Sequence, residues 1–185
     1  NMALSTIGTN SIADDAVATA KIADDAVTVA KATGFGKILQ VVNTVISATS
    51  SGNAGTEAMI ANYYAQITPS ATSSKVLIIF NGPVQIEDSN SAARNAVFKL
   101  RVKNGSNPAA SDTDLQQIRF GSYSYSDTSG NVEEHGCLVF NALHSPSTTG
   151  SFHVGISVGN YDGNPNWKLG ISSYKSTFTL MEIEG

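Results

Sequence analysis

From Lys37 onward, short apolar runs alternate with clusters of Gly, Asn, Ser, Thr and Pro, the pattern of strands joined by turns. The runs predict strands at 37–46, 58–68, 75–81, 95–103, 115–122, 134–143, 151–158, 166–171 and 176–183. Their even spacing, with no sustained helical period, points to an antiparallel sandwich or barrel. Within single runs the period is two. Phe98, Leu100 and Val102 take one side of a strand, while Lys99, Arg101 and Lys103 take the other and read as a solvated face. Phe152, Val154, Ile156 and Val158 form another inner face. Residues 76–80 and 38–42 are apolar on both sides. In an antiparallel sheet this asks for a cover on the second face, and a neighbouring subunit is the expected one.

Ahead of these strands the pattern changes to a repeat. Residues 11–20 and 21–30 match at seven of ten positions, so one structural unit is used twice along an axis. Ile12, Val17, Ile22 and Val27 recur every five positions, a spacing that gives no continuous stripe on a regular helix or strand. Asp14 and Asp15, or Asp24 and Asp25, stand before an Ala/Val turn that ends near Lys21 or Lys31, charges that suit the two ends of a helix dipole. One short helical turn per unit, linked by extended residues, is the resulting picture. A helix that short is unstable alone in water, so the unit has to pack on something. Other copies of itself are the economical answer: an interwound stalk lined by Ile12, Val17, Ile22 and Val27. A structureless Ala/Asp linker is the alternative. The two glycines of 32–36 mark a hinge, which divides the chain into a repetitive stalk at 1–35 and a β-sandwich head at 36–185.

Composition sharpens this in a few places. Hydrophobic residues at 41% suffice for a core, whereas charged residues at 14% fall well below the roughly 25% of an ordinary globular chain. The surface is therefore built from neutral polar groups. A net charge of −4 without a basic cluster argues against nucleic acid as a partner. The single cysteine, Cys137, excludes an intrachain disulfide framework and a cysteine zinc site; its place in Cys137-Leu-Val-Phe140 predicts a buried thiol. No run approaches the roughly 20 apolar residues of a membrane span, so no membrane insertion is expected. The start lacks the pattern of a signal peptide, and Asn1 precedes Met2, as in a piece of something longer.

Candidate chemistry is thin. Glu87 and Asp88, Asp112 and Asp114, Asp127, and Glu133 and Glu134 lie in polar loops and read as solvated turn carboxylates rather than as an acid and base pair. His135, His144 and His153 are nine residues apart, without metal-ligand spacing. No phosphate-binding loop occurs. No catalysis, cofactor or metal is expected. Binding fits better, because sugars are recognised by aromatic faces beside Asp and Asn side chains. Tyr161, Asp162, Asn164, Asn166 and Trp167 make one such loop; Tyr123, Tyr125 and Asp127 make a second. Trp167 as a core residue closing one end of the sandwich stands as an equal alternative. Tyr63 and Tyr64 read as core or interface residues.

Four landmarks occur in order: residues 36–42 (GKILQVV), 67–77 (ITPSATSSKVL), 145–149 (SPSTT) and 176–183 (STFTLMEI), with the Ile-Ala-Asp-Asp-Ala-Val repeats upstream. Together they resemble the C-terminal stalk and head region of bacteriophage tail fibres, those of cyanophages included, over nearly the whole chain. The stretch between Val158 and Ser172 is longer and more polar than in the heads it resembles. The resemblance implies a homotrimeric fibre tip with a jelly-roll head. It also implies a place in the virion, on the tail fibre, and contact with a host cell-surface glycan or other receptor. The alternatives are a non-receptor appendage or decoration protein of the virion, and a trimeric adhesive head of tumour-necrosis-factor type. A glycan-cleaving fibre is disfavoured by the missing carboxylate pair.

Overall fold

A computed structural model of the chain describes residues 37–88, 94–122, 132–171 and 174–185. The expected stalk, with Ile12, Val17, Ile22 and Val27, lies outside them. Among the described residues there are ten strands and no helix. They are β1 Ile38–Ile46, β2 Ser50–Asn53, β3 Ala58–Ile67, β4 Lys75–Asp88, β5 Arg94–Asn104, β6 Thr113–Ser122, β7 Val132–His144, β8 Phe152–Asp162, β9 Asn166–Leu169 and β10 Ser176–Ile183. Every run of the sequence pattern became a strand. Only β2 escaped it, because Ser-Ser-Gly-Asn carries no apolar side chain to signal a buried face.

All pairings are antiparallel and the strands form two sheets. One has the order β1-β10-β4, with β7 on the far side of β4; the other has the order β3-β8-β5-β6. With β2 and β9 set aside, the first main strand pairs with the last, the second with the seventh, the third with the sixth and the fourth with the fifth. This nested pairing is a long hairpin rolled up on itself, the jelly-roll sandwich. The extra strands form an annex in which β9 pairs with both β4 and β2. The polar stretch after Val158 holds β9.

β4 carries the change of partner. Its residues Lys75–Asn81 pair with β10 and Val84–Glu87 pair with β9, while β7 lines its other edge throughout. Gly82 and Pro83 sit at the handover. Proline has no N–H to give a ladder, and a gap between two partner strands is where that loss costs least. The Pro83 carbonyl accepts the Gly170 N–H at 2.9 Å, which turns the chain out of β9. Gly170 has φ of 75°, and a Cβ there would run into the Tyr63 hydroxyl and the Ala48 carbonyl, so both dihedral and space call for glycine.

The inward faces meet in an aromatic core. Tyr63, Phe80, Phe98, Phe140, Phe152 and Phe178 are buried there with Ile60, Ile78, Leu100 and Leu138. Phe80 packs on Phe178 with ring centroids 4.7 Å apart and meets the edge of Tyr63 at 6.3 Å. Several residues depart from expectation: Glu87, Asp88, Asp114, Glu133 and Glu134 lie in strands β4, β6 and β7 rather than in loops, and Cys137 and Arg101 differ in burial. Cys137 is exposed, not buried, because Leu138 and Phe140 take the inward positions of β7 and leave the thiol outward parity. Arg101 is buried to 7% exposure rather than solvated. Glu57, from the link before β3, folds over it, pairs with its guanidinium and takes hydrogen bonds from Lys99 at 2.8 Å and the Ser157 hydroxyl at 2.7 Å. Burial works to raise the Glu57 pKa, but those three bonds override it and hold the carboxyl below its ordinary value.

One buried charge ties the Lys37 end of the sandwich together. Glu182, on the inward side of β10, is 1% exposed. It accepts hydrogen bonds from the Ser70 N–H and hydroxyl, both at 2.6 Å, from the Ser74 hydroxyl at 2.7 Å and from Gln40 Nε2 at 2.6 Å. It thereby joins β1 and β10 to the 68–74 turn that carries the chain from one sheet to the other. Burial pushes this carboxyl up, yet the serine and glutamine donors outweigh it and bring the pKa down to about 2 from an ordinary 4.5. A carboxyl depressed on folding contributes stability that is complete above the unfolded value and lost as pH falls through the folded one. Stability should therefore decline between about pH 4.5 and pH 2. Glu182→Gln, which leaves donors facing donors, should cost about 2 kcal/mol at neutral pH and flatten that decline. Urea denaturation of both chains across this range checks it.

Candidate functional site

The strand registers fix two ends of the head. Ile38 lies opposite Ile183, Ile183 opposite Lys75, and Val76 opposite His144, so the chain enters the sandwich at this end. At the other end, Glu87 lies opposite Asn166, Asn166 opposite Asn53, and Asn95 opposite Asp162. β4 runs the whole way, about 40 Å at roughly 3.3 Å per residue. The β8–β9 turn singled out from the sequence thus lies at the end remote from Lys37. The second candidate set, Tyr123, Tyr125 and Asp127, lies outside the described residues.

The β8–β9 turn is built from residues that tolerate tight bends. Gly163 and Asn164 both have positive φ, 73° and 51°, and asparagine is among the few side chains at ease there. Hydrogen bonds lace the turn to the link between β2 and β3. Asn53 Nδ2 donates to the Asn164 carbonyl at 2.7 Å, the Ala54 N–H to the Pro165 carbonyl at 2.8 Å, and the Asn160 N–H to the Gly55 carbonyl at 3.0 Å. Tyr161, Asp162, Asn164 and Asn166 are exposed on this frame. The Arg119 guanidinium lies 4.3 Å from the centroid of the Tyr161 ring, which is still 58% exposed.

Trp167 is placed in the core. It is 7% exposed and stands edge-on to Phe98 at 6.3 Å and 89°. Parity explains this: Trp167 and Leu169 are the inward positions of the four-residue β9, leaving Asn166 and Lys168 outward. The ring also backs onto Gly52, where a Cβ would come within 3.3 Å of it. Above the indole edge is an open concavity of about 180 Å³ lined by Ser51, Gly52, Glu87, Asn166, Trp167 and Lys168. Lys168 pairs with Glu87, which also accepts from Gln85 Nε2 at 3.0 Å. The hollow offers a carboxylate, an ammonium, an amide and a hydroxyl, all hydrogen-bonding groups for a polyhydroxylated ligand. Ser51 and Gly52 were invisible to sequence reading because β2 was. Lys168 was legible in principle, two residues from Asn166 and so on the same side of a strand.

Other candidate groups are scattered. His144 stacks on Phe152 at 5.3 Å and burial lowers its pKa; His153, lowered by burial too, contacts Asn107 Oδ1 at 3.0 Å and Ser151 Oγ at 3.1 Å. His135 is on the exposed side of β7 near Glu133. Asp112 accepts from the Ala109 N–H at 2.7 Å and pairs with Lys103 at 3.0 Å. Among the described residues no three His, Cys, Asp or Glu side chains gather as a metal site requires. Tyr63 is a core residue whose hydroxyl donates to the Ala48 carbonyl at 2.9 Å, and Tyr64 lies over Gly155 on the outer face of its sheet.

No family model and no curated protein matches the sequence. Among solved structures, the chain is weakly similar to a chain of the Gx strain of infectious bursal disease virus, with a TM-score of 0.37 and 12% identity over 78% of this chain and 33% of that one. A subviral particle of the same virus gives 0.32 and 12%, covering 79% of this chain and 40% of that one. The Eiger tumour-necrosis-factor protein of S. frugiperda gives 0.32 and 12%, over 75% and 92%. The chain spans well under half the length of the viral chains it matches.

The two aromatic residues of the turn should respond differently to truncation. Trp167→Ala should cost about 3–5 kcal/mol of stability, as loss of a buried indole does. Tyr161→Ala should cost under about 1 kcal/mol, the scale of an exposed cation–π contact. Chemical denaturation of the two variants separates them, and equal losses would count against the burial assigned to Trp167.

Proposed function

We propose that this chain is the end piece of a phage tail fibre. In this reading the repeats of residues 1–35 gather three copies of the chain, and the jelly-roll head turns its far end toward a cell-surface glycan. The observation that carries the reading is the polarity of the head. The chain enters at Lys37, while the exposed Tyr161, Asp162, Asn164 and Asn166 stand at the opposite end beside a hollow of hydrogen-bonding groups. A tip that grips a surface while tethered behind needs that arrangement. The trimer comes from the resemblance to tail fibres, and self-association from a repeat too short to be stable alone. The proposed partners are other copies of the chain, the remainder of the fibre and a host glycan. No chemistry is assigned, so incubation with host polysaccharide should release no reducing ends.

Two measurements test the reading. Light scattering should give roughly three times 19.3 kDa, and a single-chain mass would sink the stalk. Tyr161→Ala and Asn166→Ala should each weaken attachment of the purified chain to host cells about tenfold, on the scale of an interface hot spot, while the head stays folded with a loss of stability under about 1 kcal/mol. Undiminished attachment by both would remove the β8–β9 turn as the receptor site.

A further inference from the structure

The outer face of the β1-β10-β4-β7 sheet is the least expected surface of the head. Its side chains follow the registers in three rows: Val41, Met181, Leu77 and Leu143; then Asn43, Thr179, Ile79 and Asn141; then Val45, Thr177, Asn81 and Val139. None of these three rows holds a charge; the row at the Lys37 end, Ile38, Ile183 and Lys75, closes on a lysine. Of the seven large apolar residues exposed among the described residues, five belong to this face: Ile38, Val41, Val45, Val139 and Leu143, the last at 56%. An apolar centre depleted of charge is the composition of an interface core. In addition, among the described residues β1 pairs only with β10, which leaves the other edge of this nine-residue strand without a ladder partner there. A long apolar edge strand left open is a template for another chain.

We propose that this face is covered by a second copy of the chain, so that the heads hold one another and not only the repeats. The occupant follows from connectivity. The repeat ends a few residues before β1, and β1 itself supplies Ile38, Val41 and Val45. Whatever gathers the repeats raises the local concentration of β1 strands and of the face they border. The inference rests on the self-association proposed above, and goes further by placing a contact on the head.

A sole thiol in the middle row of the face, on its β7 side, reports its cover. In full-length chain carrying Cys137→Ser and Asn141→Cys, maleimide labelling should be at least tenfold slower than in the same chain with Leu143→Lys added, the latter losing the cover. Asn141 and Leu143 are both exposed, so the fold should tolerate these changes; Val41→Lys is the second disrupting variant. Light scattering is recorded on every sample. A multimer whose thiol reacts equally fast with and without Leu143→Lys and Val41→Lys overturns the head contact and leaves the repeat as the sole joint. A single-chain mass overturns both readings, and if the thiol is then still slow, the chain's own N-terminal segment is the cover.

Discussion

Everything in the head is arranged around the fourteen residues of β4 and the point at which that strand changes partner. A strand this central must satisfy backbone groups on both edges along its whole length. β7 does so on one side. On the other, β10 stops opposite Asn81 and β9 begins opposite Val84. Gly82 and Pro83 make the break tolerable, one by having no side chain where Ser176 and the Phe80 ring press close, the other by having no N–H to leave unpaired. The same alternation then serves three purposes. Val76, Ile78, Phe80, Val84 and Ile86 fill the core, Leu77 and Ile79 belong to the bare outer face, and Glu87 reaches the hollow by the β8–β9 turn.

Much of this was legible from the residues because the signals are local. The bounds of β10 fall where the sequence pattern puts them, since Ser176–Ile183 alternates without interruption between two polar stretches. β4 reads only to residue 81 because Gly-Pro is ordinarily a stop; the alternation resumes through Val84 and Ile86, and only the partner strands reveal why. The two-sided apolar runs proved informative as well: Ile38 and Val41 of 38–42 are exposed, and Leu77 and Ile79 of 76–80 are half-buried on the same outer face.

What failed to read was set by residues distant in sequence. Arg101 looks like the middle of a basic stripe until Glu57, forty-four positions away, closes over it. Trp167 has the neighbours of a sugar platform, but four residues of β9 suffice to fix its parity, and parity sends it inward against Phe98. Cys137 shows the converse, an apolar context around an outward position. The partition of the β8–β9 turn into an exposed tyrosine and a buried tryptophan is thus a matter of register, which composition does not encode.

The placing of Glu182 bears on how the head would carry tension. β1 runs antiparallel to β10 from Ile38 to Ile46, so a pull on Lys37 along the strand axis strains all their ladder bonds together instead of peeling them one by one. Gln40, bonded to the Glu182 carboxylate and to the Thr68 carbonyl, sits at the first turn of that path, and the Glu184 N–H holds the Lys37 carbonyl at 2.8 Å. Under such a pull the buried carboxylate would serve as a mechanical clamp, since its bonds to Gln40, Ser70 and Ser74 would pass the strain from β1 to β10 and the 68–74 turn.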